Sequence, residues 1–177
     1  MLSKIKQSWK VKDVRRRILY TLMMILIFRI GTTIPVPGVD TSIISKLVSG
    51  NSLLALYNMF TGGAFSNFTL FALGIGPYIT ASIIIQLLTV GFDSLKELQK
   101  SGEEGRKKMN MYTKYTALVL AIIQAVGITL GVIKSALTSD SIFSIATVIM
   151  TLVSASMILM WMGDRITEKG LGNGSSI

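Results

Sequence analysis

Side-chain chemistry needs particular residue types, and this sequence withholds most of them. Its 177 residues include no cysteine and no histidine. That removes disulfides, thiolate nucleophiles, the commonest metal ligands and an imidazole general base. Serines and threonines are numerous, yet none can join a histidine and an acid in a hydrolytic set. The run Gly170-Leu171-Gly172-Asn173-Gly174 is only superficially like a phosphate loop, because neither a Lys-Ser/Thr pair nor a helix follows it, and it is expected to be a flexible loop. Arg106-Lys107-Lys108 has the charge to touch RNA, but no interleaved aromatic residues support stacking on bases, and a basic loop that fixes membrane orientation explains the cluster. The long apolar stretches hold no aspartate or glutamate, so no proton relay of the kind used by coupled transporters is visible. Among the polar side chains that do lie within such stretches are Arg29 and Gln124. Arg29 is expected to snorkel or to pair with a neighbouring helix.

The elements that must position these residues belong in a bilayer. Half of the residues are hydrophobic and 15% are charged, against about 25% charged in an ordinary soluble domain. Residues 1–17 form a basic tail with seven cations and one acid, Asp13. Leu2, Ile5 and Trp9 recur there at helical spacing opposite lysines, which fits an amphipathic helix on an anionic membrane surface or, equally, a solvated tail. The first span is expected over 18–34, before the turn signal Pro35-Val36-Pro37-Gly38. No small-residue cleavage site follows it, so it reads as a retained helix rather than a signal peptide.

Between Lys46 and Asp93, 46 residues carry no charge. One crossing needs about 20 residues. The basic blocks on either side, 1–17 and 91–114, both belong in the cytoplasm by the positive-inside rule, so an even number of crossings separates them. The first span supplies one and the uncharged run supplies one more, expected at 70–90. The surplus, residues 52–68 within an external loop 35–69, dips into the membrane and returns: Leu53, Leu54, Leu56, Tyr57, Met59 and Phe60 are too apolar for an ordinary loop, and Thr61-Gly62-Gly63 breaks a helix after them. Irregular backbone at that depth survives only when protein or a water-filled cavity surrounds it, so the segment implies a cavity. Third and fourth spans are expected at 115–133 and 142–162, followed by a cytoplasmic segment 163–177. Gly127 and Gly131 form a G-x-x-x-G pair that signals close helix packing. Ser144, Thr147, Thr151, Ser154 and Ser156 suit a helix packed among helices, or else bond their own backbone. Fifteen of the 18 cations fall on the side assigned to the cytoplasm, and only Lys46 and Lys134 fall opposite.

These residues also carry a family resemblance. Arg29-Ile30-Gly31, Ile34-Pro35-Val36-Pro37-Gly38-Val39-Asp40, Tyr57-Asn58-Met59-Phe60-Thr61-Gly62-Gly63-Ala64, the run from Phe71 through Gly74-Ile75-Gly76-Pro77 to Ile84, Gly102-Glu103-Glu104-Gly105-Arg106-Lys107-Lys108 and Ile166-Thr167-Glu168-Lys169-Gly170-Leu171-Gly172-Asn173-Gly174 together resemble the bacterial SecY family, the protein-conducting channels of the Sec translocon. The resemblance implies an all-α polytopic membrane protein with four transmembrane helices plus a re-entrant plug helix, one half of an inverted-repeat channel whose ten spans exceed what this sequence holds. It ends where the fifth span would begin. The plug would be 52–68, with Leu53, Leu54, Tyr57, Asn58, Met59, Phe60, Gly62 and Gly63 carrying it. Ile75 and Ile79 would line the pore constriction, and Thr80, Ile83 and Gln124 would belong to the lateral gate. No catalytic residue, cofactor or metal is implied, and the chain is expected not to be an enzyme. The implied partners are SecE and SecG subunits, signal peptides and translocating polypeptides, membrane lipid, and SecA or the ribosome in the complete channel. The implied location is the bacterial plasma membrane with both termini cytoplasmic. A second expectation from another class is a small transporter or membrane-interaction protein acting as a homo-oligomer of the half-chain, an antiparallel pair. The cation bias argues against it, because dual insertion requires a weak topological preference.

Overall fold

The computed structural model describes residues 11–139 and 141–174. The amphipathic segment around Leu2, Ile5 and Trp9 lies outside the described residues. Seven α-helices follow one another among the described residues: α1 Lys12–Gly31, α2 Thr41–Gly50, α3 Ser52–Phe60, α4 Gly76–Gly91, α5 Asp93–Lys100, α6 Glu103–Gly131 and α7 Ile142–Lys169, with a 3-10 turn at Lys134–Ala136. By length and composition α6 and α7 can each cross a membrane; a third span is added if α4 and α5, bent by 106°, count as one. The molecule is therefore an all-helical membrane protein with two to three spans by this measure. α1 falls short because only eleven uncharged residues separate Arg17 from Arg29.

The helix limits differ from the expected spans for identifiable reasons. α1 stops three residues before Ile34, where the hydroxyls of Thr32 and Thr33 donate to the carbonyls of Arg29 and Ile30, both at 2.7 Å. The span expected at 70–90 is helical only from Gly76, because Pro77 stands in the first turn, where its missing N–H costs nothing. Residues 70–75 are wound as turns instead. α6 begins twelve residues before the expected 115, so Arg106-Lys107-Lys108 is helical rather than looped. Its 29 residues span about 43 Å, more than the roughly 30 Å of hydrocarbon. α7 likewise runs seven residues past 162. α2 was not expected at all. Asp40 caps it, accepting from the Ser42 N–H at 2.9 Å and its hydroxyl at 2.6 Å, and these bonds hold the exposed Asp40 carboxyl below the usual carboxylate range.

α4 and α6 pack along small residues. Pro77, Ala81, Ile85 and Thr89 are the buried positions of α4, and Gly105, Thr113, Ala117, Ala121, Ala125 and Thr129 those of α6. Gly127 and Gly131, the expected close-packing pair, are exposed, and a Cβ on either would meet nothing within 4 Å. The alanines one face away carry the close approach. At Gly105, by contrast, a Cβ would run into the Leu98 carbonyl and the Ser101 hydroxyl oxygen of the α5–α6 corner. Gly105→Ala is therefore expected to lower stability by about 2 kcal/mol or more, while Gly127→Ala should be neutral or slightly stabilising. Thermal unfolding followed by circular dichroism checks the pair, and equal melting shifts would contradict it.

The loops are tied down by the same logic that makes membrane-depth irregularity costly. Val36 N–H donates to the Phe68 carbonyl and Leu70 N–H to the Ile34 carbonyl, both at 2.9 Å, and Asp40 N–H donates to Ala136 at 2.8 Å. Phe65, Phe68, Leu73, Val36 and Ile44 are fully buried with Ile133, Val148 and Leu152, so α2, α3 and the turns after it share one core with α6 and α7. The glycine-rich segment expected to be flexible is docked. Leu171 N–H donates to the Thr21 hydroxyl at 3.0 Å and Gly174 N–H to the Thr167 hydroxyl at 2.9 Å, and a Cβ on Gly174 would strike the Gly163 backbone.

Candidate functional site: the α3 helix and the break before α4

α3 opens at Asn51, whose side-chain oxygen accepts from Leu53 N–H at 3.0 Å. It closes at Thr61, after which Gly62 and Gly63 take φ of 63° and 86°, a left-handed pair that an L-residue with a Cβ resists. The helix is apolar on both sides. Leu54 and Tyr57 are half-buried on the core, whereas Leu53, Leu56, Met59 and Phe60 are exposed. Tyr57 sets its ring edge-on to Phe65, centroids 5.0 Å apart at 88°, and donates its hydroxyl to the Leu73 carbonyl at 3.1 Å. Asn58 fastens the following turn: its side-chain oxygen accepts from Ser66 N–H at 2.8 Å, and its carbonyl accepts from Gly63 N–H at 2.9 Å.

Ile75 is the residue that caps α4, and its carbonyl accepts from the N–H groups of both Tyr78 and Ile79 at 3.1 Å. It is half-buried, with its Cδ1 atom beside Gly163 of α7. Ile79 stands one turn further on and is 42% exposed. Ile83, Leu87 and Val90 continue the exposed line down α4, as spacings of four, four and three dictate on a helix. Thr80 is exposed and Gln124 half-buried, and no hydrogen bond joins them among the described residues. The structure thus brings Ile79 and Ile83 onto one face, and it keeps Thr80 and Gln124 on separate helices without a direct bond.

Two contacts made by α7 escaped sequence reasoning. Ser156 of α7 donates its hydroxyl to the Gly74 carbonyl at 3.0 Å. Nothing in the sequence distinguishes it from Thr147 and Thr151, whose hydroxyls bond the carbonyls four residues earlier in their own helix. Lys114 and Asp164 form an ion pair at 2.6 Å between α6 and α7, although hydropathy places both residues in the loops beside the expected spans. Arg29 lines a cavity of about 490 Å³ with Thr32, Thr41, Gly62, Ser66 and Asn67.

A protein-family model described as SecY matches residues 69–177. The chain is similar to protein translocase subunit SecY of Buchnera aphidicola subsp. Acyrthosiphon pisum, 44% identical over 174 residues, which covers 94% of this chain and 40% of the relative. Against the same subunit of Escherichia coli strain K12 the identity is 44% over 172 residues, covering 93% of this chain and 39% of the relative. The Streptomyces scabiei subunit is 43% identical over 192 residues, covering 100% and 44%. Among solved structures, one described as a protein conducting channel superposes with a TM-score of 0.67 at 22% identity, and Sec61 in the canine ribosome-channel complex from the endoplasmic reticulum with 0.66 at 22%. Each comparison covers 93% of this chain and 35% of the solved chain. The chain spans about two-fifths of the length of the curated relatives it matches.

Proposed function

The chain belongs to the SecY family, and from that membership we propose that it forms the N-terminal half of a protein-conducting channel that passes secretory polypeptides across the bacterial plasma membrane and releases membrane segments sideways into lipid. It is not an enzyme. The observation that carries the reading is the 46-residue uncharged run: it folds as one short apolar helix, a glycine-bearing break and a 16-residue helix. A channel needs such a broken element, because a plug must enter membrane depth and leave again while its backbone stays satisfied.

In this reading α1, α4, α6 and α7 are the four crossings, and both ends of the chain lie in the cytoplasm, as the cation distribution favours. α3 is the plug, with its exposed Leu53, Leu56, Met59 and Phe60 turned toward the second half of the pore. Ile75 and Ile79 form the apolar constriction. Water is unstable between close hydrophobic walls, so ions are excluded, yet such walls part around a peptide with no specific bonds to break. The exposed Ile79, Ile83, Leu87 and Val90 face borders the lateral gate together with Thr80 and Gln124. SecE and SecG subunits and a driving partner, SecA or the ribosome, complete the assembly.

Deleting residues 53–59 in the complete channel tests the proposal. Ion conductance across planar bilayers is expected to rise while assembly of the channel stays intact. Unchanged conductance with intact assembly would remove the plug.

A further inference from the structure

The break before α4 leaves two successive carbonyls without their helical donors. Leu73 would be served four residues on by Pro77, which has no N–H. Gly74 would be served by Tyr78 N–H, which bonds Ile75 instead. The two acceptors are taken by side chains from different helices: Tyr57 of α3 donates to Leu73 at 3.1 Å and Ser156 of α7 donates to Gly74 at 3.0 Å. Ser156 is buried and Tyr57 half-buried, so water is a poor substitute for either hydroxyl. Gly74 holds φ of 59°, and the next residue is Ile75.

We propose that the Tyr57 and Ser156 hydroxyls are the positioning groups of the constriction, one clamping the break from the α3 side and the other from α7, so that displacement of α3 strips the Leu73 carbonyl of its donor and frees Ile75 to move. The coupling rests on the reading of α3 as a plug and of Ile75 as a constriction residue. It makes opening a sequence in which α3 leaves first, Leu73 loses its donor and the constriction loosens, while Ser156 holds Gly74 and restores the turn when α3 returns. Phe at position 57 keeps the ring and its packing on Phe65 but cannot donate.

The test uses the absence of cysteine from this chain. Ile75→Cys is introduced in the complete channel in membrane vesicles, on a background in which the rest of the channel and its other subunits also lack cysteine, and its modification by a charged, water-soluble maleimide is timed. Tyr57→Phe and Ser156→Ala are each expected to accelerate modification about fivefold, the factor one net hydrogen bond supplies. The double variant should exceed the product of the two, because each hydroxyl still holds the break when the other is lost. Ser156→Thr, which keeps the hydroxyl, should modify at the parent rate. An unchanged rate in either single variant overturns the proposal, as does Ser156→Thr behaving like Ser156→Ala. Should Ser156→Ala fail to insert, Tyr57→Phe decides alone. A labelling response without any ion leak on deleting residues 53–59 would remove the plug and leave the hydroxyls as holders of the break. Leak without a labelling response would remove the hydroxyls' role and leave the plug.

Discussion

Phe65→Ala is expected to cost about 3–5 kcal/mol. The ring is 2% exposed, edge-on to Tyr57 at 5.0 Å and inclined at 65° to Phe68 at 6.3 Å, within the core that holds Ile44, Leu73, Val148 and Leu152. Collapse into the void is opposed, because Phe65 N–H is fixed to the Thr61 hydroxyl at 3.3 Å and Phe68 N–H to the Phe65 carbonyl at 3.0 Å. The consequence reaches α3, since Tyr57 loses the surface it rests on. Thermal unfolding in detergent should shift down by roughly 10 °C, and Phe65→Leu, which fills most of the space, should recover most of it. A shift of only a degree or two in Phe65→Ala would mean that this core relaxes freely and does not hold α3 in place.

Replacing Ile75 and Ile79 together by serine in the complete channel should raise resting ion conductance by at least roughly tenfold. In the proposed constriction each isoleucine would contribute about 1.5 kcal/mol or more of apolar burial to the barrier, and about 1.4 kcal/mol is a factor of ten in rate. The geometry supports joint action. Ile79 N–H is bonded to the Ile75 carbonyl, which keeps the two side chains one turn apart on the same element. The same change at Ile84 and Leu88, further down α4, provides the comparison and should leave conductance at its resting level. Planar-bilayer recordings of the two pairs decide it, and matching conductances would leave the constriction unsupported. Because nothing in the constriction recognises a particular peptide, the double variant should also pass precursors with defective signal sequences more readily.

Much of this fold was legible because lipid and charge act on composition directly. The uncharged runs within α6 and α7 and the apolar run at 52–60 declare themselves without reference to any neighbour. Helix ends were less legible. Hydropathy marks where hydrocarbon begins, whereas a helix continues until a proline, a glycine or a competing side chain stops it. Hence α6 takes in Arg106-Lys107-Lys108, and α7 runs on to Lys169. α2 was missed because Thr41–Gly50 is short and rich in β-branched residues, a poor helix by propensity that its Asp40 cap and the burial of Ile44 and Val48 stabilise.

What the sequence determined by itself is the membrane class of the chain and the long apolar runs of α6 and α7, since hydrophobicity is a sum over residues that needs no partner. It also marked the end of α3, because Gly62-Gly63 can take the left-handed conformation that side-chain-bearing residues resist, but not the start of α4, which was expected at 70 and begins at Gly76 beside Pro77. Only the tertiary structure decided which small residues touch: Ala117, Ala121 and Ala125 pack while Gly127 and Gly131 face open space, a matter of how α6 is rotated about its axis. It alone decided that Ser156 reaches Gly74 across 82 positions of sequence while Thr147 and Thr151 bond their own helix. A hydroxyl takes whichever acceptor lies within about 3 Å, and that distance is set by helix packing, which no single residue encodes.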